Sequence, residues 1–234
     1  FDLPPEISPF IDWHELETGN HMIARFDIVP NEEGFQFCEI NAESSIGGLK
    51  LRDCYQEYLE FLHIPKQPDF SPRQAIADFL YEKTQAQDFD QVVIFSMEAY
   101  LSEGTGTVCA LHEAVAHRIP HLPVILAHER TYPEDLLDPE KGVKTLVYRL
   151  AMYDDVKCPE LLMRLFSSRA TIINSFATEI RSNKKWFAMF HDPSFQSLLS
   201  PEERSTINTY IPWTTYLTPE NLTHFLTQKD TFVF

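Results

Sequence analysis

Short apolar runs alternate along most of this chain with stretches that carry helical signals, and this alternation limits the folds it can adopt. Runs of this length, bounded by polar or turn-forming residues, are typical of buried strands. Strands separated by helices pair in parallel through crossovers, so the pattern predicts an α/β fold. The four runs are Val92 to Phe95, Val124 to Ala127, Leu146 to Leu150 and Thr171 to Ile173.

Proline marks the start of several helices. In Ser71-Pro72-Arg73-Gln74 and Ser200-Pro201-Glu202-Glu203, a serine N-cap is followed by proline at the first helical position and then by a capping-box partner. Thr218-Pro219 opens a further helix in a similar way. The predicted helices are Leu51 to Leu62, Pro72 to Thr84, Val108 to His117, Pro159 to Phe166, Asn183 to Phe190 and Pro201 to Asn208.

Residues 22 to 41 have a different pattern, with two strand-like runs joined by the turn-rich link Asn31 to Gly34. This link is too short for a parallel crossover, so the two runs should form an antiparallel hairpin. We predict a three-residue loop, Glu32 to Gly34, which has glycine where a left-handed conformation is commonly required.

The odd length of that loop decides which side chains share a face of the hairpin, because successive side chains on a strand point to opposite faces. In this register Asp27 lies opposite Glu39, and Arg25 lies opposite Asn41. The other face is then wholly apolar and suited to a core, since it pairs Phe26 with Ile40 and Ile28 with Cys38.

Two carboxylates directly opposite each other on a sheet, with Cβ atoms about 4.5–5.5 Å apart, repel each other unless a cation sits between them. Mg²⁺ takes oxygen ligands and is usually held by one or two carboxylates together with substrate phosphates. Asp27 and Glu39 are therefore candidate magnesium ligands, and Arg25 is a candidate for binding a phosphoryl oxygen. The alternative is that these residues form the solvated outer face of an edge hairpin.

The pair of motifs Arg25-x-Asp27 and Glu39-x-Asn41 resembles the R-x-D…E-x-N metal hairpin of ATP-grasp ligases. D-alanine–D-alanine ligases and glutathionylspermidine synthases both carry that hairpin. The resemblance implies that Asp27, Glu39 and Asn41 hold Mg²⁺ on the phosphates of ATP. It also implies that Arg25 contacts the phosphoryl group in transfer.

The place of the hairpin in the chain resembles the circularly permuted branch of these ligases, which includes glutathionylspermidine synthase. In most ATP-grasp enzymes the hairpin comes near the end, whereas here it comes first. Ser182-Asn183-Lys184 is similar to an S-N-K segment of that branch, which implies that Lys184 contacts the nucleotide. The implied parts are a magnesium-binding part of the ATP-grasp core at 1–50, a parallel α/β pre-ATP-grasp region at 51–180 and the start of the nucleotide-binding part at 181–234.

The residues after the hairpin depart from the pattern of glutathionylspermidine synthases. Those enzymes continue with an acidic-Thr-Pro-Thr run, which this chain lacks, so glutathione and spermidine are not the expected substrates. Ser44 and Ser45 are candidates for contacting substrate or for capping the next helix. Gly47 and Gly48 are candidates for presenting backbone N–H groups to an oxyanion, or for a tight turn.

The predicted activity is that of an ATP- and Mg²⁺-dependent carboxylate–amine ligase acting on small-molecule or peptide substrates. A second hypothesis is a non-catalytic binding or regulatory module on the same scaffold, and a third is a metal-dependent phosphohydrolase. The second is motivated by chain length. In relatives the strand at Phe232 to Phe234 continues into a lysine and a glycine-rich lid over ATP, and neither is in this sequence, so an incomplete site is expected.

Charge and cysteine content argue against other classes of partner. A formal net charge of −16 disfavours nucleic acids and anionic membranes. No apolar stretch approaches the roughly 18 residues needed to span a bilayer. The four cysteines include no C-x-x-C pair, which argues against a zinc ribbon or a disulfide framework and favours a reducing, cytoplasmic location.

Three remaining signals have ordinary structural interpretations. His112 and His117 are five residues apart and do not share a helix face, so they do not form the zinc motif H-E-x-x-H. The run Gly104-Thr105-Gly106 lacks the third glycine of a dinucleotide fingerprint and is predicted to be a loop. Arg149 ends an apolar run; it is a candidate for reaching a ligand, but an ion pair at the sheet edge is the default prediction.

Overall fold

The structure is a computed structural model, and it contains a two-stranded antiparallel hairpin and a four-stranded parallel sheet with helices between the strands. The mixed α/β class is therefore confirmed. The residues it describes are 5, 8–11, 13–14, 22–32, 34–42, 47–49, 51–65, 71–102, 106–132, 140–151, 161, 165, 168 and 170–232.

The strands lie close to where the apolar runs place them. They are β1 Arg25–Asn31, β2 Gly34–Asn41, β3 Gln91–Ser96, β4 Val124–His128, β5 Thr145–Arg149 and β6 Thr171–Ile173.

The described helices also agree closely with the predicted ones, except that the predicted helix Pro159 to Phe166 falls largely outside the described residues. The helix signalled by Thr218-Pro219 begins only at Leu222. The helices are α1 Leu51–Phe61, α2 Pro72–Ala86, α3 Glu98–Ser102, α4 Thr107–Arg118, α5 Ala177–Arg181, α6 Lys185–Phe190, α7 Pro193–Gln196, α8 Pro201–Tyr210 and α9 Leu222–Thr227, with 3-10 turns at Ser8–Phe10 and Lys229–Thr231.

The serine caps predicted from the proline motifs are present. The Gln74 N–H donates to Ser71 Oγ at the start of α2, and Ser200 and Glu203 form a complete capping box at the start of α8. The Gln74 side chain does not complete a box, because its Nε2 donates to Asp78 Oδ1 instead. Local capping chemistry therefore sets both helix starts.

The parallel sheet has the strand order β4-β3-β5-β6. The central strand β3 pairs with both neighbours in register, so that Ile94 lies opposite Leu126 on one side and Tyr148 on the other. From β3 the chain first adds β4 on one side and then returns to add β5 on the opposite side. The direction of strand addition therefore reverses between β3 and β5.

Burial follows from this order. Every residue of β3 and of β5 is buried, as expected for central strands covered on both faces. Helices α2 and α4 pack on one face, because Leu80 and Leu111 belong to the same apolar cluster as Ile94. Burial raises the pKa of the Tyr148 phenol in that cluster, since the charged form would lose its solvation.

The chain divides into two compact units. One comprises Phe26–Ile40 and Arg181–Phe234, and the other comprises Asp2–Arg25 and Asn41–Ile180. The body of the hairpin thus belongs with the carboxyl-terminal segment, and the parallel sheet lies in the other unit. The division into 1–50, 51–180 and 181–234 stays a prediction. None of the helices in the described ranges has the length and apolar character needed to cross a lipid bilayer.

Candidate functional site

The connection in the hairpin is shorter than predicted. Strand β1 ends at Asn31 and β2 begins at Gly34, so Gly34 lies in the strand and not in a three-residue loop. The requirement for glycine at this position is real, because Gly34 has φ +141°, a conformation that side-chain-bearing residues rarely adopt. The predicted loop length is therefore wrong, and a connection of even length reverses the parity of the facing side chains.

Aromatic contacts on the hairpin agree with this reversed parity. The rings of Phe26 and Phe37 meet edge to face with centroids 5.4 Å apart, so these two side chains share a face. This parity contradicts the predicted register as a whole and puts Asp27 and Glu39 on opposite faces. The predicted facing pairs that are wrong are Phe26 with Ile40, Ile28 with Cys38, Asp27 with Glu39 and Arg25 with Asn41. The face predicted to be a core is also exposed, since Phe26 and Ile28 have 50% and 53% of their surface accessible. Phe37 packs instead beside Tyr210 of α8, with ring centroids 6.5 Å apart.

Glu39 and Lys184 come together although they are far apart in the sequence. Lys184 Nζ lies 3.1 Å from Glu39 Oε1, and both residues belong to the unit that contains the hairpin body. The lysine side chain is 71% exposed and the glutamate side chain 31% exposed, so the pair faces solvent. The structure therefore brings together one residue from the hairpin motif and one from the S-N-K motif.

Lys184 is the N-cap of α6, which begins at Lys185, two residues later than the predicted helix start at Asn183. The Asn183 side-chain oxygen accepts a hydrogen bond from the Lys185 N–H at 3.0 Å, which fixes the turn that carries Lys184. The helix itself is anchored by Phe187 and Ala188, which are buried. Asn183 thus orients the first turn of α6, and the Lys184 side chain extends from it into solvent, where it pairs with Glu39.

Asp27 lies on β1, half-buried, and its backbone carbonyl accepts a hydrogen bond from Cys38 Sγ at 3.3 Å. Arg25 is the first residue of β1 and Asn41 is the last residue of β2, so both lie at the end of the hairpin away from its turn. They belong to the unit that contains the parallel sheet. Asn41 is 8% exposed, and within the described part of the chain its Nδ2 has no hydrogen-bond partner.

A single asparagine, Asn174, binds the residues on both sides of the hairpin. Its Oδ1 accepts from the Ile23 N–H at 2.9 Å, and its Nδ2 donates to the carbonyls of Ile23 at 2.7 Å and Ala42 at 2.6 Å. Ile23 precedes β1 and Ala42 directly follows β2. The side chain therefore cross-links the chain before and after the hairpin at the carboxyl end of β6.

Arg149 in turn holds Asn174. Its Nε donates to the Asn174 carbonyl at 2.9 Å, while Nη1 donates to the Ala151 carbonyl and pairs with Glu179 Oε1, each at 2.9 Å. Its guanidinium also lies 4.8 Å from the centre of the Phe176 ring. The predicted ion pair is confirmed. The arginine side chain is fully buried, and it holds the backbone of Asn174 in place.

The remaining candidate residues do not gather around these groups. Ser44 and Ser45 lie outside the described residues. Gly47 and Gly48 have φ +61° and +68°, and the Leu51 N–H bonds the Gly48 carbonyl at 3.0 Å, so they form the turn into α1. Among the described residues no group of three or more histidine, cysteine, aspartate or glutamate side chains is placed to hold a metal ion.

Replacing Asn174 by alanine should lower the free energy of unfolding by about 3 kcal/mol, because it removes the hydrogen bonds to the Ile23 N–H and to the Ile23 and Ala42 carbonyls. Urea denaturation of both proteins measures the loss. The matched control is Asn221→Ala, since Asn221 also bonds backbone groups, of Thr218 and Tyr216, but in a less buried loop. Equal losses for the two variants would contradict the assignment of Asn174 as the cross-link.

A scan against models of protein families finds no match to this chain. A search of curated proteins finds no significant relative either. The likeness to ATP-grasp ligases therefore depends on the hairpin and S-N-K motifs themselves, and the function drawn from it is a proposal.

Proposed function

We propose that this protein is an ATP- and Mg²⁺-dependent carboxylate–amine ligase of the circularly permuted ATP-grasp type. The observation that supports this most is the 3.1 Å approach of Lys184 to Glu39. The two residues were assigned from separate motifs, one to the metal and the other to the nucleotide. When a metal is bound on the phosphates of ATP, a metal ligand and a phosphate-binding residue must lie close together. The ion pair between Glu39 and Lys184 agrees with that requirement.

The proposed metal ligands suit Mg²⁺ by their chemistry. Asp27 and Glu39 offer carboxylate oxygens and Asn41 offers an amide oxygen, which are the hard donors that Mg²⁺ prefers. The reversed parity puts Asp27 on the hairpin face opposite Glu39, so the geometric support is at Glu39, beside Lys184, and Asp27 is assigned from its motif. When bound, the ion would neutralise charge on the phosphates and orient the terminal one.

Lys184 is suited to exchange one partner for another. An ion pair as exposed as this one contributes only about 0.2–1 kcal/mol, so breaking it costs little. A nucleotide phosphate would offer the ammonium a charge-assisted hydrogen bond, which is stronger than a neutral one. We therefore assign Lys184 to phosphate binding in the ligand-bound protein, with Glu39 as its partner when no nucleotide is present.

Arg25 is assigned to the transferring phosphoryl group. The substrate carboxylate attacks the γ-phosphorus and ADP leaves. The positive guanidinium of Arg25 would stabilise the negative charge that develops on the phosphoryl oxygens during this step. The resulting acyl phosphate is then attacked by the amine, which expels inorganic phosphate and leaves an amide. No covalent bond to the protein forms in either step.

The substrates are proposed to be a small-molecule or peptide acid and an amine. We place the protein in the cytoplasm, which supplies ATP and keeps thiols reduced. The free cysteines Cys38, Cys54 and Cys109 are exposed, and exposed thiols persist in a reducing compartment.

Asp27→Asn and Glu39→Gln should each lower amine-dependent ADP release by about a hundredfold or more, because each removes a charged metal ligand. The assay screens pairs of acids and amines with the full-length protein. Glu202→Gln, an exposed change on α8, is the matched control and should retain the rate. Unchanged turnover in the Asp27 and Glu39 variants would refute the metal assignment, and ADP release without any amine would favour a phosphohydrolase.

Lys184→Met should weaken ATP binding by about tenfold, since it removes one hydrogen bond to a charged phosphate. Calorimetric titration of ATP in the presence of Mg²⁺ measures the change. Lys229→Met removes an exposed lysine of the same unit, and we expect it to leave the affinity unaltered. If both lysine variants bind ATP as the parent protein does, Lys184 is not a nucleotide ligand.

A further inference from the structure

Ser96 carries a buried hydroxyl that has no hydrogen-bond partner among the described residues. It is the last residue of β3, its exposure is 0%, and its Oγ forms no hydrogen bond in the part of the chain that the structure describes. Buried hydroxyl groups in proteins are nearly always hydrogen-bonded, and an exception often marks a place where a ligand, ion or water binds. The position of Ser96 in the sheet favours a ligand.

The reversal of strand order lies beside Ser96. The sheet order β4-β3-β5-β6 places β3 next to β5, where strand addition changes direction. In open parallel α/β sheets, ligands bind in the crevice outside the carboxyl ends of the strands at this point. Ser96 lies at that end of β3, one position beyond the pair formed by Phe95 and Arg149.

The Ser96 side chain is directed toward the layer that contains α4. Alternation along β3 puts it on the same face as Val92 and Ile94. Both of those residues pack in one apolar cluster with Val108 and Leu111 of α4. Because α4 connects two parallel strands, β3 and β4, it runs opposite to them and begins at their carboxyl end. The hydroxyl and the first turn of α4 therefore lie at the same end of the same layer.

The start of α4 offers further donors. The helix has 12 residues, and its N-cap is Gly106, which has φ +61° and supplies no side-chain acceptor. The first N–H groups of a helix have no acceptor within the helix, and they carry a partial positive charge. In α4 these include the N–H groups of Val108 and Cys109.

We infer that Ser96 Oγ and the N–H groups of Val108 and Cys109 form a binding site for a phosphate group. Two N–H donors of the first helical turn and one hydroxyl from the end of β3 match the several acceptor oxygens of a phosphate. Among the described residues, the two glutamates that follow the ends of β3 and β4 are already engaged. Glu98 pairs with Arg130 at 2.9 Å, and Glu129 accepts from the Glu98 N–H at 2.8 Å. This site lies in the unit of the parallel sheet and is independent of the proposed ligase site.

Inorganic phosphate is the probe, and thermal unfolding of the full chain in phosphate and in sodium chloride of equal ionic strength is the measurement. A ligand that binds only the folded protein raises its Tm. Ser96→Ala should leave the Tm in chloride unchanged, because its hydroxyl has no partner to lose. It should lower the affinity for phosphate by about tenfold and so reduce the rise in Tm.

Thr84→Val is the matched control, since Thr84 is a buried residue of the same unit whose hydroxyl does have a partner, the Tyr81 carbonyl. This variant should have a lower Tm in both salts but keep the full rise with phosphate. No rise in the parent protein, or an equal rise in Ser96→Ala, overturns the inference.

Amide NMR of the parent protein tests the site even if Ser96→Ala fails to fold. Phosphate titration should shift the Val108 and Cys109 signals, whereas shifts confined to other residues overturn the assignment. Tighter binding of glycerol phosphate than of inorganic phosphate would identify the ligand as a phosphate monoester. Equal binding would identify the free ion, and either result supports the site.

Discussion

The hydrogen bonds of the Asn174 side chain fix the path of the chain on both sides of the hairpin. They tie Ile23 and Ala42, which flank the hairpin, to the carboxyl end of β6. Asn174 is held by Arg149, whose burial would cost several kcal/mol if its charge were unpaired. The ion pair with Glu179 and the surrounding carbonyls offset that cost. A polar network thus fixes the path of the chain where apolar packing alone would not.

The buried polar network and the proposed nucleotide-binding groups belong to different units of the chain. The network lies in the unit of the parallel sheet, where its polar groups are buried and paired. Glu39 and Lys184 belong to the other unit, and their pair is open to solvent. Buried paired charges resist change, whereas exposed pairs exchange partners at little cost. The proposed nucleotide-binding groups therefore have the freedom that binding requires.

The secondary structure was predictable because its signals are local. Run length located β3 to β6, and the Ser71 and Ser200 caps located two helix starts. The register of the hairpin was not predictable, since one residue more or less in the connection exchanges the two faces. The parity argument took Gly34 as part of the loop, but Gly34 belongs to β2.

The site was predictable only in part. Motif resemblance selected Glu39 and Lys184, and their proximity could not have been derived from spacing, since it depends on the tertiary fold. The role of Asn174 was missed because an asparagine after a short strand is ordinary, and its partners Ile23 and Ala42 are far away in sequence. Its only signal was a polar residue directly after the apolar run Thr171–Ile173.

The central claim is that Glu39 and Lys184, which form an ion pair, lie beside one metal–nucleotide complex. Mn²⁺ is a paramagnetic substitute for Mg²⁺ and broadens the NMR signals of nearby nuclei, so its site can be located directly in the labelled full-length protein. With a non-hydrolysable ATP analogue present, we expect the amide signals of Glu39 and Lys184 to broaden most strongly. The effect should be weak without the analogue. Broadening centred on other residues, or the same pattern with and without the analogue, would contradict the account.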